Sequence, residues 1–147
     1  MQLRLPLVLL LAATATPALG DCDVGLSTAG TLKLSTSDSH MLTSEEGTAS
    51  VVVVTNLSGI LGTTVTISNP RLDTYPGGFA AGSVTVEENY SATWLLGSSS
   101  NATYTSDARN FAVGIGAVVT LTLNNRVTSP GGFKQGGYTT KTTISCS

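Results

Sequence analysis

The sequence predicts an all-β chain folded as an antiparallel β-sandwich whose N- and C-terminal ends are joined by one disulfide. Three observations lead there. Apolar and β-branched residues recur with period two in short runs separated by Gly, Pro, Asn and Ser, and no window holds the i, i+3, i+4 stripe of an amphipathic helix. Charged residues make up 11% of the chain, while Val, Leu and Thr are abundant, a balance that suits pleated, half-buried strands. Two cysteines, Cys22 and Cys146, stand near the two ends of residues 21–147.

Residues 1–20 have the three parts of a secretory signal: Arg4 as the basic start, an apolar stretch from Leu5 to Ala13, and Ala18-Leu19-Gly20 as the cleavage site. Residues 21–147 then form a single domain, long enough for one sizeable core. The apolar stretch is shorter than the roughly 20 residues a membrane-spanning helix needs, and the later run Val51–Val54 reads as a strand, so no membrane span is expected. Export, whether to periplasm, cell surface or medium, places both cysteines in an oxidising compartment, where a pair reads as a bridge. Such a bridge puts the two Cα atoms roughly 4.4 to 6.8 Å apart.

The strands follow in order. Thr31–Ser35 alternates with Leu32 and Leu34 inward, and a polar span from Thr36 to Gly47 carries His40 and Glu45-Glu46. Ala49–Thr55 is continuous and β-branched, as a central strand is. Asn56–Gly62 turns the chain, Thr63–Ser68 alternates again, and Asn69–Ala81 is a long loop with Pro70, Pro76 and Gly77-Gly78. Ser83–Glu88 and Tyr90–Leu96 are two strands joined by a tight hairpin at Glu88-Asn89. A Gly/Ser loop covers Gly97–Asn101, Ala102–Thr105 is a short edge strand, and Ala117–Leu123 is a strong one with Val119, Leu121 and Leu123 inward. Asn124-Asn125 turns the chain towards the last strand. There Tyr138, Thr140, Thr142, Ile144 and Cys146 point one way, inward, and Thr139, Lys141, Thr143 and Ser145 the other. So many short strands with polar turns argue for the immunoglobulin-like type of sandwich, with a closed barrel as the alternative.

One internal echo interrupts this sequence of strands. Pro76-Gly77-Gly78-Phe79 and Pro130-Gly131-Gly132-Phe133 each precede a strand. Turn chemistry accounts for the glycines, through positive φ, and for each Phe as a plug of the sandwich end, with a duplicated half-domain or a paired binding rim as the alternative.

Chemistry is sparse. A basic cluster interleaved with aromatics is missing, so nucleic acid is not an expected partner. The one histidine, His40, lies in a polar loop; no G-x-S-x-G elbow and no zinc-type ligand set accompanies it. Adjacent carboxylates in Glu45-Glu46 and Glu87-Glu88 point to opposite strand faces, so neither pair forms a glycosidase couple, and solvated turns are expected for them. No D-x-D-x-D-G calcium loop occurs. The sequence therefore predicts no catalytic residue, no metal site and no cofactor. Trp94, Tyr75, Phe79 and Tyr104 are the candidate binding residues, offering stacking faces to a carbohydrate or protein ligand. Asn56-Leu57-Ser58, Asn89-Tyr90-Ser91 and Asn101-Ala102-Thr103 match the N-glycosylation pattern, but Ser and Thr are so abundant that such matches arise by chance.

The chain end, Gly137-Tyr138-Thr139 followed by alternating Thr, resembles the last strand of spore-coat-protein-U-like subunits and archaic chaperone–usher pilins of bacteria. That resemblance implies an immunoglobulin-like subunit of a surface fibre, or fimbria, acting in adhesion or biofilm formation with other surface subunits as partners. Such pilins carry an extended segment before the first cysteine, which completes a neighbour's fold by strand addition. Here Asp21 alone separates the cleavage site from Cys22. A self-complete domain is accordingly expected.

Overall fold

The computed structural model describes residues 22–57 and 62–147; the expected signal segment lies outside them, as does part of the Asn56–Gly62 turn. The described chain is all-β, apart from a short 3-10 turn at Ala81–Ser83, and every strand pairing is antiparallel. No helix among the described residues is long and apolar enough to cross a membrane.

A hairpin of two interrupted strands opens the fold. Its outer arm is β1 (Asp23–Thr28) followed by β2 (Thr31–Leu34), and its return arm is β3 (Met41–Thr48) followed by β4 (Ser50–Thr55). Next come β5 (Thr63–Thr74), β6 (Thr85–Trp94), β7 (Gly97–Thr105), β8 (Arg109–Val113), β9 (Val119–Thr128) and β10 (Thr139–Cys146). The larger sheet is centred on β9, which bonds β4 along its first half, β3 along its second, and β6 along its other edge, with β7 beyond. The smaller sheet has the order β10-β5-β8.

The core fills the space between the sheets. Val52, Val54, Val65, Ile67, Tyr90, Ala92, Phe111, Val113, Val119, Leu121 and Leu123 form its main body, each on the inward parity of its strand. At one end lies a smaller cluster of Leu42, Val86 and Val127. The two Pro-Gly-Gly-Phe turns meet over it: Phe79 stacks on Phe133 at 5.8 Å between ring centroids, and Tyr138 meets both edge-on. Gly78 and Gly132 have φ of +71° and +73°, so the echo in sequence is a pair of like turns whose Phe rings plug one end.

Cys22 and Cys146 are bonded, with Cα atoms 6.0 Å apart. Cys22 leads into β1 of the larger sheet and Cys146 ends β10 of the smaller, so the bridge runs between sheets and not between neighbours within one. As the alternation predicts, Cys146 is buried, Thr140, Thr142 and Ile144 are half-buried, and Lys141 is exposed.

Several boundaries differ from expectation for identifiable reasons. The polar span Thr36–Gly47 contains β3; its Thr43 and Ser44 are buried because their hydroxyls accept backbone N–H bonds from Glu45 and Asn125. β5 continues to Thr74, so the long loop shrinks. Pro70 is tolerated there because β8 pairs only as far as Ile67 and the β10 register shifts opposite Asn69 and Pro70, where Asn69 has positive φ. Glu88-Asn89 is not a hairpin: β6 passes straight through it, and the turn is Leu95-Leu96, since Trp94 pairs with Gly97. A Cβ on Gly97 would lie 2.8 Å from the Trp94 ring, which explains the glycine. The Ser-rich run after it is strand β7, and β9 likewise passes through Asn124-Asn125. Sequence reading missed β8, whose alternation rests on Arg109, Phe111 and Val113.

Reduction, or Cys146→Ser, releases a constraint spanning 124 positions. A loss of about 2–5 kcal/mol is expected, seen as a lower unfolding midpoint by circular dichroism with and without reductant. Coincident midpoints would contradict a stabilising role for the bridge.

Candidate functional site

The two sheets differ in width, and part of the larger sheet's inner face is left without a roof. Cross-strand partners share a face, so Val24 and Leu26 on β1, opposite buried Val54 and Val52, are inward residues. The same holds for Leu34 of β2 opposite buried Leu42. Yet Val24, Leu26 and Leu34 are 45%, 64% and 51% exposed. The smaller sheet stops at β10, which is bonded to β5 on one side and to no described strand on the other.

Between the free edge of β10 and this uncovered strip runs an open groove of about 900 Å³. Leu26 and Val52 line it towards one end, Leu32, Leu34 and Leu42 towards the other, and Phe133, Tyr138, Thr142 and Ile144 form the opposite wall. Against the expectation of a self-complete sandwich, the described residues leave this edge uncovered. An unpaired strand edge beside an apolar floor offers an extended segment both backbone hydrogen bonds and side-chain pockets.

The middle of the groove is polar. Ser44 and Asn125 line it there; Ser44 Oγ accepts the Asn125 backbone N–H at 2.9 Å and donates to Asn124 Oδ1 at 3.3 Å. On the β10 wall, Thr142 Oγ1 donates at 2.7 Å to Glu88 Oε2, inside the core. Glu88 is fully buried, with Arg109 Nη2 3.5 Å from its Oε1. The Arg109 guanidinium also lies over the Tyr90 ring and donates to the Thr103 carbonyl. Burial pushes the Glu88 carboxyl above its ordinary value, and the Thr142 hydrogen bond and Arg109 charge offset this only in part.

The four candidate aromatics do not converge. Phe79 is buried in the end plug, with Tyr75 beside it and 46% exposed. Trp94 stacks on Phe111 towards the other end of the main core. Tyr104 lies by Arg126 and Glu45: its hydroxyl donates to Glu45 Oε1 at 2.9 Å and the Arg126 guanidinium covers its ring. Burial, then the Glu45 hydrogen bond and charge, push its pKa up to about 12. No single stacking surface is built from these residues.

Nor do the paired carboxylates lie in solvated turns: both pairs are in strands, Glu87 bridging Arg126 at 2.7 Å on the face opposite Glu88. Glu46 is held below its ordinary value by the Thr36 backbone N–H and hydroxyl. His40 stays in its loop, its backbone N–H bonded to Asp38. Among the described residues no group of three or more His, Cys, Asp or Glu is placed to hold a metal ion.

Compared with protein-family models, curated proteins and solved structures, the chain shows no significant match. Sequence reading missed the groove, Asn125 and the Glu88–Arg109–Thr142 cluster. A signal for Glu88 existed: Val84, Val86, Glu88, Tyr90, Ala92 and Trp94 share one unbroken parity, which puts Glu88 inside.

A carboxyl whose pKa rises on folding contributes stability below its unfolded value and loses it as pH climbs through the folded value. The Glu88 contribution is therefore expected to decline from about pH 4.5 upward. Glu88→Gln should flatten that part of the stability profile, read from urea unfolding across a pH series. An unaltered profile in the variant would assign the slope to other groups.

Proposed function

We propose that this chain is an exported, non-enzymatic structural or adhesive protein of the bacterial cell surface, a fimbria- or biofilm-associated subunit that accepts a β-strand from a neighbouring polypeptide. The open groove beside β10 is the observation that carries this reading. An uncovered strip of inward leucines next to an unpaired strand edge is a liability in an isolated domain and an asset in an assembling one. The signal-like N-terminus, the low charge and the Gly-Tyr-Thr chain end support the same assignment.

The reading can be tested on the purified, oxidised protein with a soluble peptide of alternating valine and polar residues. Binding is expected to slow amide hydrogen exchange at alternate residues of β10 and to be weakened at least tenfold by Leu26→Asp. Protection confined to other strands, or an absence of binding, would remove the proposal.

A further inference from the structure

The groove's floor is not uniform: Ser50, Ser44 and Asn125 interrupt its apolar surface, and of the three only Asn125 has a buried polar atom left unpaired among the described residues. Along β9 the inward residues are Val119, Leu121, Leu123, Asn125 and Val127, five levels spaced two residues apart. Val52 stands opposite Leu121, Ser50 opposite Leu123 and Leu42 opposite Val127, so Asn125 lies between the Leu123–Ser50 level and the apolar Leu42–Val127 level. Asn125 is 7% exposed, and its Oδ1 has no hydrogen-bond partner. Its backbone N–H is held by Ser44, which fixes the strand while leaving Asn125 Oδ1 unpaired among the described residues. An unpaired buried amide is costly, and a leucine here would continue the core column.

Resting on the strand-accepting reading above, we propose that Asn125 sets the register and sequence preference of the incoming strand. The occupant is an extended segment of a separate polypeptide, with apolar side chains at its inward positions except one. That one, facing Asn125, carries a carboxamide or hydroxyl able to bond the Asn125 carboxamide. A strand slipped by two residues would place an apolar group over the unpaired amide, and a polar group over Leu42 or over Leu123, whose neighbour Ser50 already accepts the Gly30 N–H. A slip by one would turn every inward side chain outward. The polar level therefore selects one alignment out of several that an all-apolar groove would tolerate, as a single buried Asn does in coiled coils. Lys134 and Lys141 line the rim and, among the described residues, no carboxylate does, so acidic residues at the outward positions of the segment complement it.

Two nine-residue peptides with Asp and Thr at outward positions test this, one with Val, Val, Asn, Val at its inward positions and one with Val at all four. Calorimetric titration of the wild-type protein is expected to favour the Asn peptide by about tenfold. Asn125→Leu is expected to reverse the order. Because the comparison is already decisive in the wild type, it does not depend on that variant folding; Asn125→Ser, which keeps a hydrogen-bonding group, is expected to retain the preference. Equal binding of both peptides overturns the inference while leaving the strand-accepting reading intact, and no binding by either overturns both. Self-association that both peptides compete away equally would make a second copy the occupant and overturn the inference.

Discussion

Everything distinctive about this molecule depends on how β10 is held. Its last residue is bonded through the Cys22–Cys146 disulfide to the start of the larger sheet. Further back along the strand, Thr142 reaches through the core to Glu88 on β6. Just before its first residue, Tyr138 packs edge-on against Phe79 and Phe133, with its hydroxyl bonded to both the backbone N–H and the carbonyl of Lys134. These three pins anchor one covalent, one polar and one aromatic contact along a single strand. With β5 on its inner side, β10 is fixed in position although its other edge has no partner among the described residues. A strand so held stays where it is instead of collapsing onto the exposed leucines of β1 and β2. The groove is thus a consequence of anchoring.

The polar pin carries its own cost. Burying Glu88 with Arg109 desolvates both, and their pairing at 3.5 Å leaves Glu88 Oε1 and two Arg109 nitrogens without hydrogen bonds. An apolar pair would fill the same space more cheaply. What the charged cluster adds is directionality: Thr142 has one acceptor to find, and that fixes the height of β10 over the larger sheet to within a hydrogen bond. Asn125, cross-strand neighbour of Glu88, extends the same polar level to the groove. The level that positions β10 from inside is therefore the level that an added strand would meet from outside.

The sequence made the class of fold and the clasp legible, since period-two alternation and a lone pair of cysteines each have few physical readings. Its failures share one cause. Glu88-Asn89, Asn124-Asn125, Gly97–Asn101 and the Glu45-Glu46 span were assigned to turns or loops because their residues are polar, whereas the sheets run through all four. Polarity marks a turn only where no partner strand satisfies the side chain. Here Ser44, Thr142 and Arg109 supply those partners from distant positions along the chain, as in the Ser44–Asn125 bond with a separation of 81 and the Thr142–Glu88 bond with a separation of 54. The leading apolar turn was missed for the converse reason, because Leu95 and Leu96 are over 90% exposed at a hairpin tip where Gly or Asn is usual. The groove was illegible for a different reason: it is a missing neighbour, and parity shows which face a residue takes but not whether anything covers that face.

Strand acceptance asks little of this structure. An added strand would bond backbone groups of β10 that no described strand engages, so no existing ladder has to break first. Val24, Leu26 and Leu34 are already on the inward face, so their burial needs no repacking of the core beneath them. The ordering cost falls on the incoming segment, which gives up its conformational freedom. Return for that cost comes from two sources of different character: apolar burial, which is indifferent to shifts of two residues, and the backbone ladder, which repeats at every second residue. Neither discriminates between alignments shifted by two. A buried amide left unpaired at one level of the floor does, and that is the position Asn125 occupies.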